Sequence, residues 1–549
     1  MPIASVAEDI RAISSPAARR LLAACLLALS ACGSDDLVVL TDAGSIRGVA
    51  DSRGDTVVRR FTRVPYAAPP TRALRWRPPR APARWSVTYD ASRPMPACPQ
   101  DLSGQTSYIQ AVGAAIGAPA SRYGEGVTVS EDCLYLSIWA PASTRARHPV
   151  MVWLHGGSNV HGWAGDPFFD GSALARRGVV VVVVNYRLGV LGFLTHPALA
   201  AESERGVSGN YGLHDQLAAL AWVRRNIDAF GGDSSRVTLF GQSAGATDIA
   251  CLLTSPLAEG LLHRAILQSG HCLSPWLDAR RRSGVPSPAD SVGMRFAAAF
   301  GATNDSTGLA RLRGVSPDSL RVAAESLGVA FDPVVDGWVL PDQPAARAAR
   351  GELLRIPVIV GSNADEASSL VPPRFPPNVA VLRRILAREY GSAADSALAL
   401  YPADDASARQ AMIALRTAAW LTEPARATAS LLASAGGPVF LYRLTRGAAT
   451  ADRGAAFGAF HGAELPFVFG ANPERWPYVD AESELGRLVR DYWVAFASTG
   501  DPNRARRPAW PRFSPSEPSL LELDRVPRVR SARDPRLDWL ERMRRSTSP

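Results

Sequence analysis

Residues Val237 to Ala246 read VTLFGQSAGA, a short β-run ending in the pattern G-x-S-x-G. Val237, Thr238, Leu239 and Phe240 form the run, and small residues then lead into a helix-like segment reaching Leu253. A strand, a sharp turn and a helix around one serine make a nucleophile elbow. Gly241 and Gly245 remove side chains that would collide across the turn. Ser243 is then presented at the carboxyl edge of a sheet, above a helix N-terminus whose dipole favours developing negative charge.

A serine hydroxyl needs a base to take its proton and an acid to hold that base in the right tautomer. The chain has eight histidines. Elbow hydrolases place nucleophile, acid and histidine in that chain order, which leaves His263, His271 and His461. The first two follow Ser243 too closely to leave room for an acid loop. His461, in FHGAELPFVFG, is the base by elimination. The acid belongs on a strand-end loop between them. The segment from Ile359 to Glu366 puts Asp365 and Glu366 just past a strand, and either serves chemically. Donors for a tetrahedral oxyanion are also required. His155-Gly156-Gly157-Ser158 follows a strand, and its glycines let backbone N–H groups approach a substrate. Ala244, next to the nucleophile, supplies the other expected N–H.

Composition narrows the class. The 549 residues are 47% hydrophobic and 20% charged, which describes a globular chain with a large core. The formal net charge is +9, and every one of the 60 basic side chains is arginine. A chain without lysine has no Walker A loop, no Schiff-base lysine and no S-x-x-K site. No nucleic-acid motif is present, and the arginines read as solvated surface.

Residues 1–31 read as an export signal. Arg19 and Arg20 precede an apolar run, Leu21 to Ala31, that is too short to span a bilayer. LSAC, Leu29 to Cys32, resembles a lipobox, which makes Cys32 a lipidation site. The bland reading is ordinary signal cleavage after a small residue. Residues 32–36 are then a spacer, and 37–545 form a single catalytic domain in a cell envelope. Beyond the signal, four cysteines remain, Cys98, Cys133, Cys251 and Cys272. An even number in an exported chain suggests two disulfides. No C-x-x-C or other zinc spacing occurs.

Along the chain, Leu37 to Ala67 reads as antiparallel hairpins, with reversals at Ala43-Gly44 and Arg53-Gly54. Proline-rich Pro65 to Pro96 reads as extended over the surface, and the stretch from Cys98 to Cys133 as a long loop. Strands follow at Leu134–Trp139, Val150–Leu154, Val179–Asn185, Arg264–Ser269, Pro357–Gly361 and Val439–Leu444, with a last one at Leu520–Leu523. Val179 to Val184 is wholly apolar, the mark of a parallel strand covered on both faces. Leu213, Leu217, Leu220, Val223 and Ile227 recur at helical spacing. Pro275–Gly351 and Pro373–Gly436 read as helical cap insertions. The whole is an α/β fold with a mainly parallel, doubly wound sheet.

These landmarks together resemble the type-B carboxylesterase family, which includes cholinesterases and many bacterial esterases. They are EDCLYLSIWAP from Glu131, WLHGG from Trp153, NYRLGVLGFL from Asn185, NYGLHDQLAALAWVRRNI from Asn210, the elbow, AILQSG from Ala265, GSNADEAS from Gly361 and HGAELPFVFG from His461. The resemblance implies an α/β-hydrolase fold. It implies Ser243 as nucleophile, Glu366 as acid, His461 as base, and Gly157, Ser158 and Ala244 as oxyanion donors. It implies a Cys98–Cys133 disulfide, a supporting serine at Ser269, and ion pairs Arg75–Glu131 and Arg187–Asp215. Cys251–Cys272, by contrast, rests on export and an even cysteine count. The chain departs from the family pattern at Ser158, usually glycine or alanine, and at Asn159, usually aromatic. It departs again at Gln242, usually glutamate, and at Ala367, usually glycine. The Cys98–Cys133 loop holds no tryptophan, which argues against a cholinesterase-like cation site there. The reading is a serine hydrolase that cleaves small-molecule carboxylic esters through an acyl-enzyme, with no metal or cofactor and no nucleic-acid partner. Its rivals are amide, carbamate or lactone hydrolysis on the same fold, and a non-catalytic adhesion module.

Overall fold

The computed structural model describes residues 36–53, 56–118, 121–143, 146–280, 286–372, 374–447, 457–476, 484–504 and 507–547. The signal segment and Cys32 lie outside the described residues. Eleven strands form the large sheet: β1 (Val49–Asp51), β2 (Val58–Pro65), β3 (Tyr135–Pro141), β4 (His148–Leu154), β5 (Val180–Val184), β6 (Gly232–Gln242), β7 (Arg264–Gln268), β8 (Val358–Asn363), β9 (Val439–Leu444), β10 (Ser519–Leu523) and β11 (Arg528–Ser531). Their spatial order is β11-β10-β9-β8-β7-β6-β4-β5-β3-β2-β1. From β10 to β5 every pairing is parallel. The pairings at both ends are antiparallel.

Alternation along the central strands shows why the sheet is buried on both sides. Val150, Val152 and Leu154 of β4 enter one apolar cluster with Val180, Val182 and Val184 of β5. Met151 and Trp153 enter the other with Val181 and Val183. The unbroken valine run therefore feeds two cores at once, as a parallel strand covered on both faces must. A third cluster joins Leu382, Met412 and Trp539, tying the cap helices to the C-terminal helix. No helix among the described residues is long and apolar enough to cross a membrane.

Several expectations are refined. The stretch between Cys98 and Cys133 is not a bare loop: it carries helix α1, Leu102–Ile116, capped by Asp101 and stopped at Gly117. The Cys98–Cys133 bond is formed. Trp76, in the proline-rich stretch, is 2% exposed rather than laid over the surface, and its indole N–H donates to the Val190 carbonyl at 2.9 Å. The sheet gains β11 beyond the expected last strand, followed by a terminal helix, Pro535–Thr547. Both implied ion pairs are present, Arg75–Glu131 at 2.6 Å and Arg187–Asp215 at 2.7 Å.

The Cys251–Cys272 bridge is a correction: both are free, buried thiols. Cys272 Sγ lies 3.5 Å from Thr428 Oγ1 instead. Burial pushes the Cys251 thiol well up, so it stays protonated and packs as a small apolar group. An even cysteine count carries no information on which sulfurs meet.

Candidate active site

Ser243 sits between β6 and helix α2, Ala244–Leu253. Its backbone is held at φ 55° and ψ −125°, a left-handed conformation that costs energy for any residue with a side chain. The surroundings enforce it. A Cβ on Gly245 would lie 2.2 Å from the Leu154 carbonyl oxygen, so the start of the helix packs directly on the end of β4. The chain runs from β4 to β5 on one side and returns to β6 on the other. The ends of β4 and β6 therefore flank the point where strand order reverses, the usual ligand crevice of such sheets.

The loop after β4 turns sharply. Gly157, Ser158 and Asn159 have φ of 105°, 55° and 56° in succession. Runs of this kind turn successive N–H groups toward one side and make anion-binding concavities. Among the described residues, the N–H groups of Gly157, Ser158 and Ala244 have no acceptor in the chain. All three residues line one cavity of about 680 Å³ together with Ser243 and His461.

Past β8, the chain separates the two adjacent carboxylates. Glu366 is fully buried. Its Oε1 accepts from Ser269 Oγ at 2.6 Å and from the Asn363 N–H at 2.7 Å. Its Oε2 lies 2.7 Å from His461 Nδ1. Asp365 faces elsewhere and accepts from the Ala459 N–H at 2.9 Å. An anionic partner at Nδ1 keeps the proton there and leaves Nε2 as the acceptor. Burial works to lower the pKa of His461, but the Glu366 hydrogen bond and charge, with the charge of Glu464, outweigh it and the net direction is upward. The cavity's other histidines go the other way. Burial lowers His161 and takes His271 down to about 4. At neutral pH both are uncharged.

Two side chains at the site carry no functional signal in the sequence. Glu464, 3% exposed, takes the Asn363 side-chain amide at 2.6 Å and the Gln268 amide at 3.3 Å. Its place in HGAE was visible, but nothing in the spacing announced a second buried carboxylate. Gln242 stands out in the sequence only as a departure from the family pattern. Its Nε2 lies 3.0 Å from His461 Nε2. With Nδ1 protonated toward Glu366, this is an amide N–H donating to the free imidazole nitrogen. Among the described residues Ser243 Oγ makes no hydrogen bond to His461; the glutamine amide holds that position.

A model of the carboxylesterase family matches residues 35–538. The fumonisin B1 esterase of Sphingopyxis macrogoltabida is 38% identical over 491 residues, 87% of this chain and 84% of its own. The para-nitrobenzyl esterase of Bacillus subtilis is 33% identical over 509 residues, covering 89% and 94%. A solved structure of a PNB esterase superposes with a TM-score of 0.75 at 31% identity, over 92% of this chain and 100% of that one.

Proposed function

The chain belongs to the carboxylesterase family and is a carboxylic ester hydrolase with the α/β-hydrolase fold, and on that premise we propose that it acts through Ser243, His461 and Glu366. Ser243 Oγ attacks the ester carbonyl while His461 Nε2 takes its proton. Glu366 holds the Nδ1–H and stabilises the imidazolium. The carbonyl oxygen becomes an oxyanion against the N–H groups of Gly157, Ser158 and Ala244, each such donor contributing about 3 kcal/mol. His461 returns the proton to the leaving alcohol. Water, deprotonated by the same nitrogen, then releases the acid and restores Ser243. For the first proton transfer, the Gln242 amide must yield Nε2 to the serine.

The observation that carries this reading is the 2.7 Å contact between buried Glu366 and His461 in the cavity that Ser243 lines. The test is a fluorophosphonate probe and a p-nitrophenyl ester assay on the wild type and Ser243→Ala. The wild type should label and turn over; the variant should lose labelling and fall by about a thousandfold or more. A well-folded variant within tenfold of wild type would reject the triad.

The same proposal places the enzyme in a bacterial cell envelope, diacylated at Cys32. The LSAC segment supports it. So does the Cys98–Cys133 disulfide, a bond that persists in oxidising compartments.

A further inference from the structure

The catalytic cavity is an exception in its own protein. The chain carries 60 arginines in 549 residues and a net charge of +9, yet among the described residues no arginine lines this cavity. Two carboxylates do, Asp166 and Asp332. Asp166 is satisfied: it accepts from the Tyr123 hydroxyl and from the Phe168 N–H. Asp332 is not. Among the described residues it has no hydrogen bond and no ion pair, and burial alone acts on its pKa, pushing it up. A carboxylate drawn partly out of water without a partner costs free energy, and a cation restores it.

The fold fixes what stands around Asp332. Leu277–Asp278 and Val334–Val335 pair as a short parallel ribbon, Leu277 opposite Val334. Trp276 and Asp332 both lie just before that pairing, so they emerge at the same end of the ribbon, and both line the cavity. Asp332 is also close enough to Asp248 for its charge to oppose the ionisation of that buried carboxyl. Asp248 in turn accepts from Asn159 Nδ2 at 3.1 Å and from Gln216 Nε2 at 2.6 Å. Asn159 lines the cavity, is 2% exposed, and keeps its Oδ1 without a hydrogen-bond partner. One region of the cavity thus offers an unpaired carboxylate and an indole. A carboxylate accepts N–H bonds, and an indole attracts cations.

Resting on the ester-hydrolase reading, we propose that this region recognises a protonated amine on the substrate, with Asp332 as its counter-ion beside Trp276. The enzyme then prefers amino-substituted esters over neutral ones of the same size. The preference comes from Asp332, not from the Cys98–Cys133 loop.

The test uses two isosteric pairs. One places the ammonium on the acyl side: p-nitrophenyl 6-aminohexanoate against p-nitrophenyl heptanoate. The other places it on the alcohol: 6-aminohexyl acetate against heptyl acetate. The readout is the ratio of kcat/KM, cationic over neutral, within each pair and each protein. In at least one pair Asp332→Asn should lower that ratio about tenfold, and Asp332→Glu should retain most of it, because a charge pair is exchanged for a neutral contact. A ratio that moves less than about threefold in both pairs overturns the proposal; a larger fall in one pair supports it and tells which side of the ester carries the amine. Taking ratios within one protein removes losses from misfolding. The neutral esters and the fluorophosphonate probe report on the esterase reading separately. If wild type cleaves heptanoate but shows no dependence on Asp332, only this inference fails.

Discussion

Asp365 and Glu366 are neighbours with opposite tasks, and only the backbone between them decides which. The turn Glu366–Ser368 sends Glu366 inward to His461 and leaves Asp365 holding the Ala459 N–H. Residue chemistry alone narrows the acid to these two, because adjacent side chains on a turn point apart by an amount that composition does not encode; the choice of Glu366 comes from the family resemblance. Glu366→Gln should lower kcat by about ten-thousandfold, as wrong-tautomer variants of such triads do. Asp365→Asn should cost about tenfold at most; a larger loss there would reverse the two roles. Glu464 is open to a pH test. Its charge helps raise the pKa of His461, and the proposed mechanism needs the neutral imidazole. Activity is therefore lost as pH falls through that raised value. Glu464→Gln removes one of the groups that stabilise the imidazolium, so the acid limb of kcat/KM should move to lower pH. An unmoved limb, or one that moves up, would exclude Glu464 as an electrostatic partner of the base.

At the scale of elements, the central strands were legible because apolar β-branched runs have few alternatives, whereas the cavity wall from α1 was not. The stretch after Cys98 is rich in glycine and alanine and read as a loop. Yet Ile109, Val112 and Ile116 recur at helical spacing on its buried face. Asp101 accepts the Ser103 N–H, and Gly117 ends the helix with φ 77°. The two-residue ribbon strands beside Asp332 are too short to show any period, so no sequence pattern could have revealed that pairing. The edge strand β11 is exposed at every position and shows no alternation either. The disulfide joins α1 to the site. Gln100, two residues after Cys98, exchanges hydrogen bonds with Gly162 at 2.8 Å in both directions. Tyr108 on α1 donates to the His461 carbonyl at 2.9 Å. Opening a loop with a sequence separation of 35 releases about 4 kcal/mol of unfolded-chain entropy. The Cys98→Ser, Cys133→Ser double variant should therefore unfold at lower denaturant by about that amount, and its KM should rise as α1 loosens. Thermal or denaturant melts beside ester kinetics check both. A variant as stable as wild type would mean that packing alone holds the wall.

For the whole molecule, the alternation of strands and helices in the sequence points to a mainly parallel, doubly wound sheet, whereas the order of its strands and the crevice at their reversal become visible only in the folded chain. The remaining question is where the body is held. The first described strand starts at Val38, six residues after Cys32. Fully extended, that spacer reaches roughly 20 Å. A lipid on Cys32 would therefore keep the enzyme against the bilayer surface rather than on a long tether. One acyl chain gives only reversible binding, and two or more on one residue give a stable anchor at about 0.8 kcal/mol per buried CH₂. The described body offers no membrane-crossing helix that could replace it. Expression of the full chain in a Gram-negative host should put the wild type in the membrane fraction and Cys32→Ala in the soluble fraction, with equal ester turnover per molecule. Mass spectrometry should find the mature chain beginning at a diacylated Cys32. If the wild type is as soluble as the variant, or its N-terminus lies beyond residue 32 and is unmodified, the enzyme is exported freely and the disulfide alone reports on its compartment.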